Sequence, residues 1–214
     1  VAAVEVGLSK APSFSIDEIE EQNWVQLTQS QFDPIRISER LWIVPSWHQI
    51  PDPAAVNLIL DPGMAFGTGS HPTTRLCLEW LEGKVSAQCS LLDYGCGSGI
   101  LAIAAARLGA GRVAGVDIDP QAVEAAYANA ERNGVSALFA DSAQPVAGEY
   151  DLVVANILSN PLRVLAPAIC AHVRSGGQLA LSGILREQAE ESIGIYSAWL
   201  PLTIAERMMS PARS

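Results

Sequence analysis

Past residue 84, short continuous apolar runs alternate with longer stretches whose apolar residues recur at helical spacing. The short runs predict strands at 90–94, 112–117, 137–140, 150–155 and 177–182, and the stretches between them predict helices at 99–109, 120–133, 160–173 and 185–198. Apolar residues stand at 100, 101, 104 and 108 in the first of these helices, and at 158, 162, 165 and 169 in the third. Asp119-Pro120 and Asn160-Pro161 each read as an N-cap followed by proline at the first helical position. Strands alternating with helices predict an α/β, Rossmann-like fold. Its sheet is mostly parallel, with right-handed crossovers and helices on both faces. Upstream, Ile35–Val44 and Val56–Leu60 read as strands, and a short helix is expected from Ser15 to Gln26. Trp24, Trp42 and Trp47 crowd this region, where packing onto the main domain is their expected work. The organisation that follows is a linker remnant at 1–22, a β segment with a loop and helix at 23–83, and the α/β core at 84–214.

Composition narrows the chemistry. At 214 residues and 49% hydrophobic, the chain has room for one α/β domain with a large core and a short extra segment. Its net charge of −10, with 13 basic residues, disfavours direct binding to nucleic acid and suits a basic partner. No apolar run reaches the length of a membrane span. The four cysteines (Cys77, Cys89, Cys96, Cys170) show no metal spacing and read as reduced, mostly buried and cytoplasmic. The three isolated histidines give no metal cluster, so metal dependence is not expected.

The densest signal is Asp93-Tyr94-Gly95-Cys96-Gly97-Ser98-Gly99, which joins the first core strand to its helix. Glycines let backbone approach a ligand that a Cβ would block. The dinucleotide pattern G-x-G-x-x-G needs glycine at 100, and Ile100 stands there. An acidic residue two positions before G-x-G-x-G points instead to S-adenosylmethionine. Gly95, Gly97 and Gly99 are therefore expected cofactor contacts.

Three strand ends supply carboxylates. Asp117 lies 22 positions after Gly95, where a carboxylate can accept the ribose hydroxyls, and Ile118 beside it joins the cofactor set. Asp119 reads as a helix cap. Asp93 either attracts the cationic amino group of the cofactor's methionine part or bonds to loop amides. Asp141 either meets the adenine amine or caps a turn. Upstream, Asp61-Pro-Gly-Met-Ala-Phe-Gly-Thr-Gly-Ser-His-Pro-Thr-Thr74 opens a helix whose free amides would take the methionine carboxylate. Thr74 adds a hydroxyl there, while Phe66 and Gly67 cover the cofactor face. Finally, Tyr150–Ala155 delivers Asn156 to the ligand edge of the sheet. An amide there can hold an amine's N–H groups so that its lone pair points at the methyl, which makes Asn156 the candidate catalytic residue.

These motifs, with Gly-Val-Asp-Ile-Asp-Pro-Gln-Ala, Val-Ala-Asn-Ile-Leu and Glu39–Trp47, resemble those of the bacterial ribosomal protein L11 methyltransferase family. The resemblance covers roughly residues 14 to 200. It implies a class I methyltransferase fold and S-adenosyl-L-methionine as cofactor. The implied activity is methyl transfer to lysine side chains and to the N-terminal amine of protein L11, with Thr74, Gly95, Asp117 and Asn156 as cofactor contacts. The family has a small substrate-recognition domain before the linker, and this chain begins where that domain should end. Its closing residues, Arg207-Met-Met-Ser-Pro-Ala-Arg-Ser, do not read as the family's final strand. Two other functions remain open on the sequence: methylation of another amine or amide, such as glutamine or a nucleobase, and cofactor binding without turnover.

Overall fold

A computed structural model describes residues 32–61, 71–144 and 146–201. The expected helix at 15–26, Trp24 and the residues after 201 lie outside them. The described residues from Asp33 onward belong to one compact unit.

Two sheets make up the β structure. The small one has the order β1-β2-β3, from β1 (Ile35–Arg36), β2 (Leu41–Val44) and β3 (Val56–Ile59). β1 and β2 are antiparallel, whereas β2 and β3 are parallel. The single strand expected over 35–44 is therefore a tight hairpin, with Ile35 opposite Ile43. The Ser38 hydroxyl accepts the Arg40 amide at 3.0 Å, a local bond that competes with extended pairing and turns the chain. An apolar run with a polar centre does not reveal such a turn.

The main sheet has five parallel strands in the order β6-β5-β4-β7-β8. They are β4 (Ser90–Tyr94), β5 (Arg112–Asp117), β6 (Leu138–Asp141), β7 (Tyr150–Asn156) and β8 (Val173–Ser182). The helices are α1 (Pro72–Lys84), α2 (Ile100–Arg107), α3 (Pro120–Arg132), α4 (Ser159–Cys170) and α5 (Ala189–Ser197), the last entered through a 3₁₀ turn at Arg186–Gln188. β8 starts four residues earlier than its apolar run, because it pairs with β7 through an irregular stretch around Gly176 and Gly177.

The alternation of side chains along the strands builds two cores. Leu91, Val113, Leu152 and Val154 face one side, where α1, α2 and the small sheet pack. Leu92, Val116, Val153 and Ala155 face the other, against α4 and Tyr196 of α5. α2 is buried almost all round, since residues 100 to 105 are all inaccessible. The Tyr196 hydroxyl donates to the Leu162 carbonyl at 2.9 Å and staples α5 to α4.

Asp119 caps α3 as expected, accepting the Gln121 amide at 2.9 Å. Asn160 does not cap α4. The helix begins at Ser159 after an extended Leu158 that makes no side-chain cap, so Asn160 and Pro161 both lie in its first turn. Proline is tolerated there because the first amides of a helix lack intrahelical partners. Among the described residues no helix is long and apolar enough to cross a membrane.

Asn133 ties the small sheet to α3. Its Oδ1 accepts the Ile59 amide at 2.7 Å and its Nδ2 donates to the Ile59 carbonyl at 2.8 Å, so one buried side chain serves both groups of a strand residue. Truncation would strip partners from both at once. Asn133→Ala is expected to cost about 2 kcal/mol, read as a lower urea midpoint with an unchanged slope.

Candidate functional site

The chain leaves β4 in one direction to β5 and β6, and in the other to β7 and β8. Ligands of open α/β sheets bind beyond the carboxyl ends of the strands at such a switch. The glycine turn lies there. Gly95, Gly97 and Gly99 have φ of 81°, 52° and 78°, a region that L side chains rarely adopt. The amides of Gly95 and Cys96 both donate to the Val116 carbonyl, at 2.8 and 2.9 Å, which ties the turn to the end of β5.

Two of these glycines answer to the protein itself. A Cβ on Gly95 would collide with the Ile157 side chain. A Cβ on Gly99 would stand 2.9 Å from that of Ala126 and 3.1 Å from the Phe139 ring. Close packing of the turn against its neighbours is thus a requirement in addition to any ligand.

Asp117 ends β5, partly exposed. Its Oδ2 accepts the Gly97 amide at 2.8 Å and its Oδ1 the Asp119 amide at 3.0 Å. Each carboxylate oxygen keeps a further lone pair for a hydroxyl donor. Ile118, the next residue, is 82% exposed at the same edge, an apolar surface beside a polar acceptor. Asp141 stands opposite Asp117 in the β5–β6 register, and its Oδ1 takes the Ala143 amide at 2.8 Å. The turn-capping reading of Asp141 is therefore met.

Asp93 is the most unusual group. It is buried beneath the glycine turn, with Oδ2 accepting the Ala102 amide of α2 at 3.2 Å and Oδ1 without any partner among the described residues. Burial pushes its carboxyl up to about 7. The Ala102 amide opposes that rise and the nearby Asp117 adds to it. Of the two readings from sequence, the loop-amide bond is present, and the orphaned oxygen leaves a site for a cationic donor.

On the far side of the switch, α1 brings its first turn against β7 and β8. The buried Thr74 hydroxyl accepts the Asn156 Nδ2 at 3.3 Å. That bond orients the Asn156 amide and leaves its Oδ1 as the acceptor it can offer a ligand. Ser182, opposite Asn156 in the β7–β8 register, donates to the Thr73 carbonyl at 3.4 Å. Sequence reasoning missed Ser182; its one signal is a hydroxyl at a predicted strand end, followed by Gly183.

The expectation of free amides at the α1 terminus needs correction. His71 is the N-cap: its ring accepts the Thr73 amide at 3.3 Å and its carbonyl the Thr74 amide at 3.1 Å. The ring and the carbonyl of the cap residue thus each take an amide that a bare terminus would present. Phe66 and Gly67 lie outside the described residues. Asp61, at the start of their motif, accepts the amide and hydroxyl of Ser46 at 2.7 and 3.0 Å and pairs with Arg132 at 3.2 Å. Among the described residues no group of three His, Cys, Asp or Glu side chains is placed to hold a metal ion.

The donor set fits S-adenosylmethionine on two observations. A buried carboxylate oxygen at Asp93 has no partner among the described residues, and an acceptor with spare lone pairs stands beside an exposed apolar side chain at Asp117 and Ile118.

The family model described as "Ribosomal protein L11 methyltransferase (PrmA)" matches residues 1–209. A ribosomal protein L11 methyltransferase from Dechloromonas aromatica is 81% identical over 205 residues, covering 96% of this chain and 69% of that protein. Its counterpart from Paraburkholderia phytofirmans is 59% identical over 203 residues, covering 95% of this chain and 68% of the relative. The crystal structure of a ribosomal protein L11 methylase from Lactobacillus delbrueckii subsp. bulgaricus superposes with a TM-score of 0.75. It is 36% identical, over 84% of this chain and 94% of that one.

Two measurements on the protein alone test this geometry. The Asp93 carboxyl is raised above its unfolded value, so the folded state holds a proton that the unfolded chain has released. Its stability contribution is full below about pH 4, is lost as pH rises through about 7 and is flat beyond. The drop in urea midpoint between about pH 4.5 and about pH 8 should therefore be smaller in Asp93→Asn than in the parent. Asp117→Ala frees two backbone amides and should lower the ligand-free stability by about 1–2 kcal/mol, measured by the same denaturation. An unchanged midpoint would mean that the Gly97 and Asp119 amides find water at no cost.

Proposed function

We infer the activity of this chain from its kinship: it belongs to the ribosomal protein L11 methyltransferase family. It is a methyltransferase that acts on ribosomal protein L11 with S-adenosyl-L-methionine as donor. Its acceptors are lysine side-chain amines and the N-terminal amine. Residues 84–214 serve as the catalytic core, with the β segment, loop and helix of 23–83 completing the site and 1–22 acting as linker.

Bound S-adenosylmethionine supplies an electrophilic methyl group on a sulfonium centre. The chain's own residues bind and aim. Asp117 accepts ribose hydroxyls while Gly97 steadies its carboxylate, and Ile118 offers an apolar face to the adenine. The Gly95–Gly99 turn brings backbone close to the cofactor, with Phe66 and Gly67 of the upstream motif contributing to its binding. Asp93 draws the cationic amino group of the methionine part to its orphaned oxygen, and Thr74 adds a hydroxyl at the α1 terminus. Asn156 holds the incoming amine by Oδ1. A neutral amine needs no strong base once it is oriented and desolvated.

The observation that carries this reading is the Thr74–Asn156 bond at the end of β7, which fixes one amide at the switch point with its oxygen available. The direct test incubates the chain with undermethylated ribosomal protein L11 and labelled S-adenosylmethionine, then maps the label by mass spectrometry. Label on lysines and the N-terminus is expected; none on either would overturn the assignment.

Because the amine bond exists chiefly with substrate bound, Asn156→Ala should lower the transfer rate by about 10²–10³-fold. Cofactor affinity should weaken far less, as read by calorimetry. Equal losses in both would make Asn156 a cofactor ligand alone and move the orienting role to another group.

A further inference from the structure

Several exposed apolar side chains lie just beyond the carboxyl ends of the main strands: Ile118 after β5, Leu158 after β7 and Leu185 after β8. Ile118 has a place in the cofactor reading. Leu158 and Leu185, 74% and 60% exposed, have none.

Their backbones are nevertheless pinned. β7 and β8 pair up to Asn156 and Ser182, and the two loops that follow touch at once. Gly183, with φ of 82°, lies so close to Ile157 that a Cβ there would collide with the Ile157 carbonyl. The Leu158 carbonyl accepts the Leu162 amide at 3.2 Å, and the Leu185 amide donates to Gln188 Oε1 at 3.0 Å. Ile157 and Ile184 turn into the core, while their successors Leu158 and Leu185 stay at the surface. Two exposed apolar side chains thus leave adjoining loops from pinned backbone, two and three residues beyond Asn156 and Ser182.

We propose that Leu158 and Leu185 form an apolar collar beside Asn156 that grips the aliphatic stem of the acceptor lysine. The proposal rests on the methyltransferase reading and adds the specificity element to it. A lysine side chain is amphipathic, four methylenes ending in an amine. An apolar collar that admits the stem leaves the nitrogen to the polar group beyond. An N-terminal amine has no such stem, so the collar favours lysine over the N-terminus.

The test titrates the chain, saturated with S-adenosylhomocysteine, with methylamine, propylamine and pentylamine. Affinity is expected to rise by about threefold per added methylene. The double variant L158S/L185S should flatten the series while retaining its affinity for S-adenosylhomocysteine, and L158M/L185M should restore the slope. A flat series in the parent, or an unchanged slope in L158S/L185S, overturns the collar. With ribosomal protein L11 as substrate, the same serine variant should lower the ratio of lysine to N-terminal methylation at least fivefold; a constant ratio overturns the preference. A parent that binds alkylamines by length yet transfers no methyl would overturn the methyltransferase reading and leave the collar supported.

Discussion

Sealing the central strand on both faces is the constraint from which the rest follows. β4 places Leu91 in one core and Leu92 in the other, each fully inaccessible, and the next residue along is a carboxylate. Asp93 has little choice of environment. Its position in a strand buried on both sides denies it water, and α2 starting directly beyond the glycine turn supplies one amide. An acid held this way favours its neutral form until a cation approaches, which links folding of the core to binding of a positively charged group.

The same architecture explains why the site is assembled from pieces far apart in the chain. Parallel pairing brings the carboxyl ends of all five strands to one edge, so Asp117, Asn156 and Ser182 come together although they are far apart in sequence. α1 then closes one side, because its buried Thr74 needs a polar partner and Asn156 provides it. The small sheet holds α1 in turn: Arg75 donates to the carbonyls of Arg36 and Ile37, at 3.0 and 2.6 Å. Removing water from these polar groups is costly unless each finds a partner. Every such bond therefore fixes a piece of the site's geometry as well as holding the fold.

Most of the core was legible in the sequence. The strands at 90–94 and 112–117, the start of α3 and the Asp119 cap stand where the pattern places them, because short apolar runs and Asx-Pro pairs act locally. The departures share a cause. Asn160 fails as a cap because the chain enters α4 two residues earlier, from an extended Leu158 that follows closely on the end of β7. The hairpin inside 35–44 and the early start of β8 depend likewise on partner strands that periodicity does not contain.

For the site, the sequence by itself determined which groups were available: the glycine turn, the carboxylates at 93 and 117, the amide at 156 and the hydroxyl at 74. Spacing and side-chain chemistry are local properties, and they pointed to one cofactor class. Only the tertiary structure decided what each group is free to do. It gave Gly95 to Ile157, the α1 amides to His71, one oxygen of Asp93 to Ala102, and the Asn156 nitrogen to Thr74. Hydrogen bonds and close contacts are pairwise, and half of each pair lies on another element. What remains uncommitted after folding is therefore a property of the packed chain, and no reading of one segment contains it.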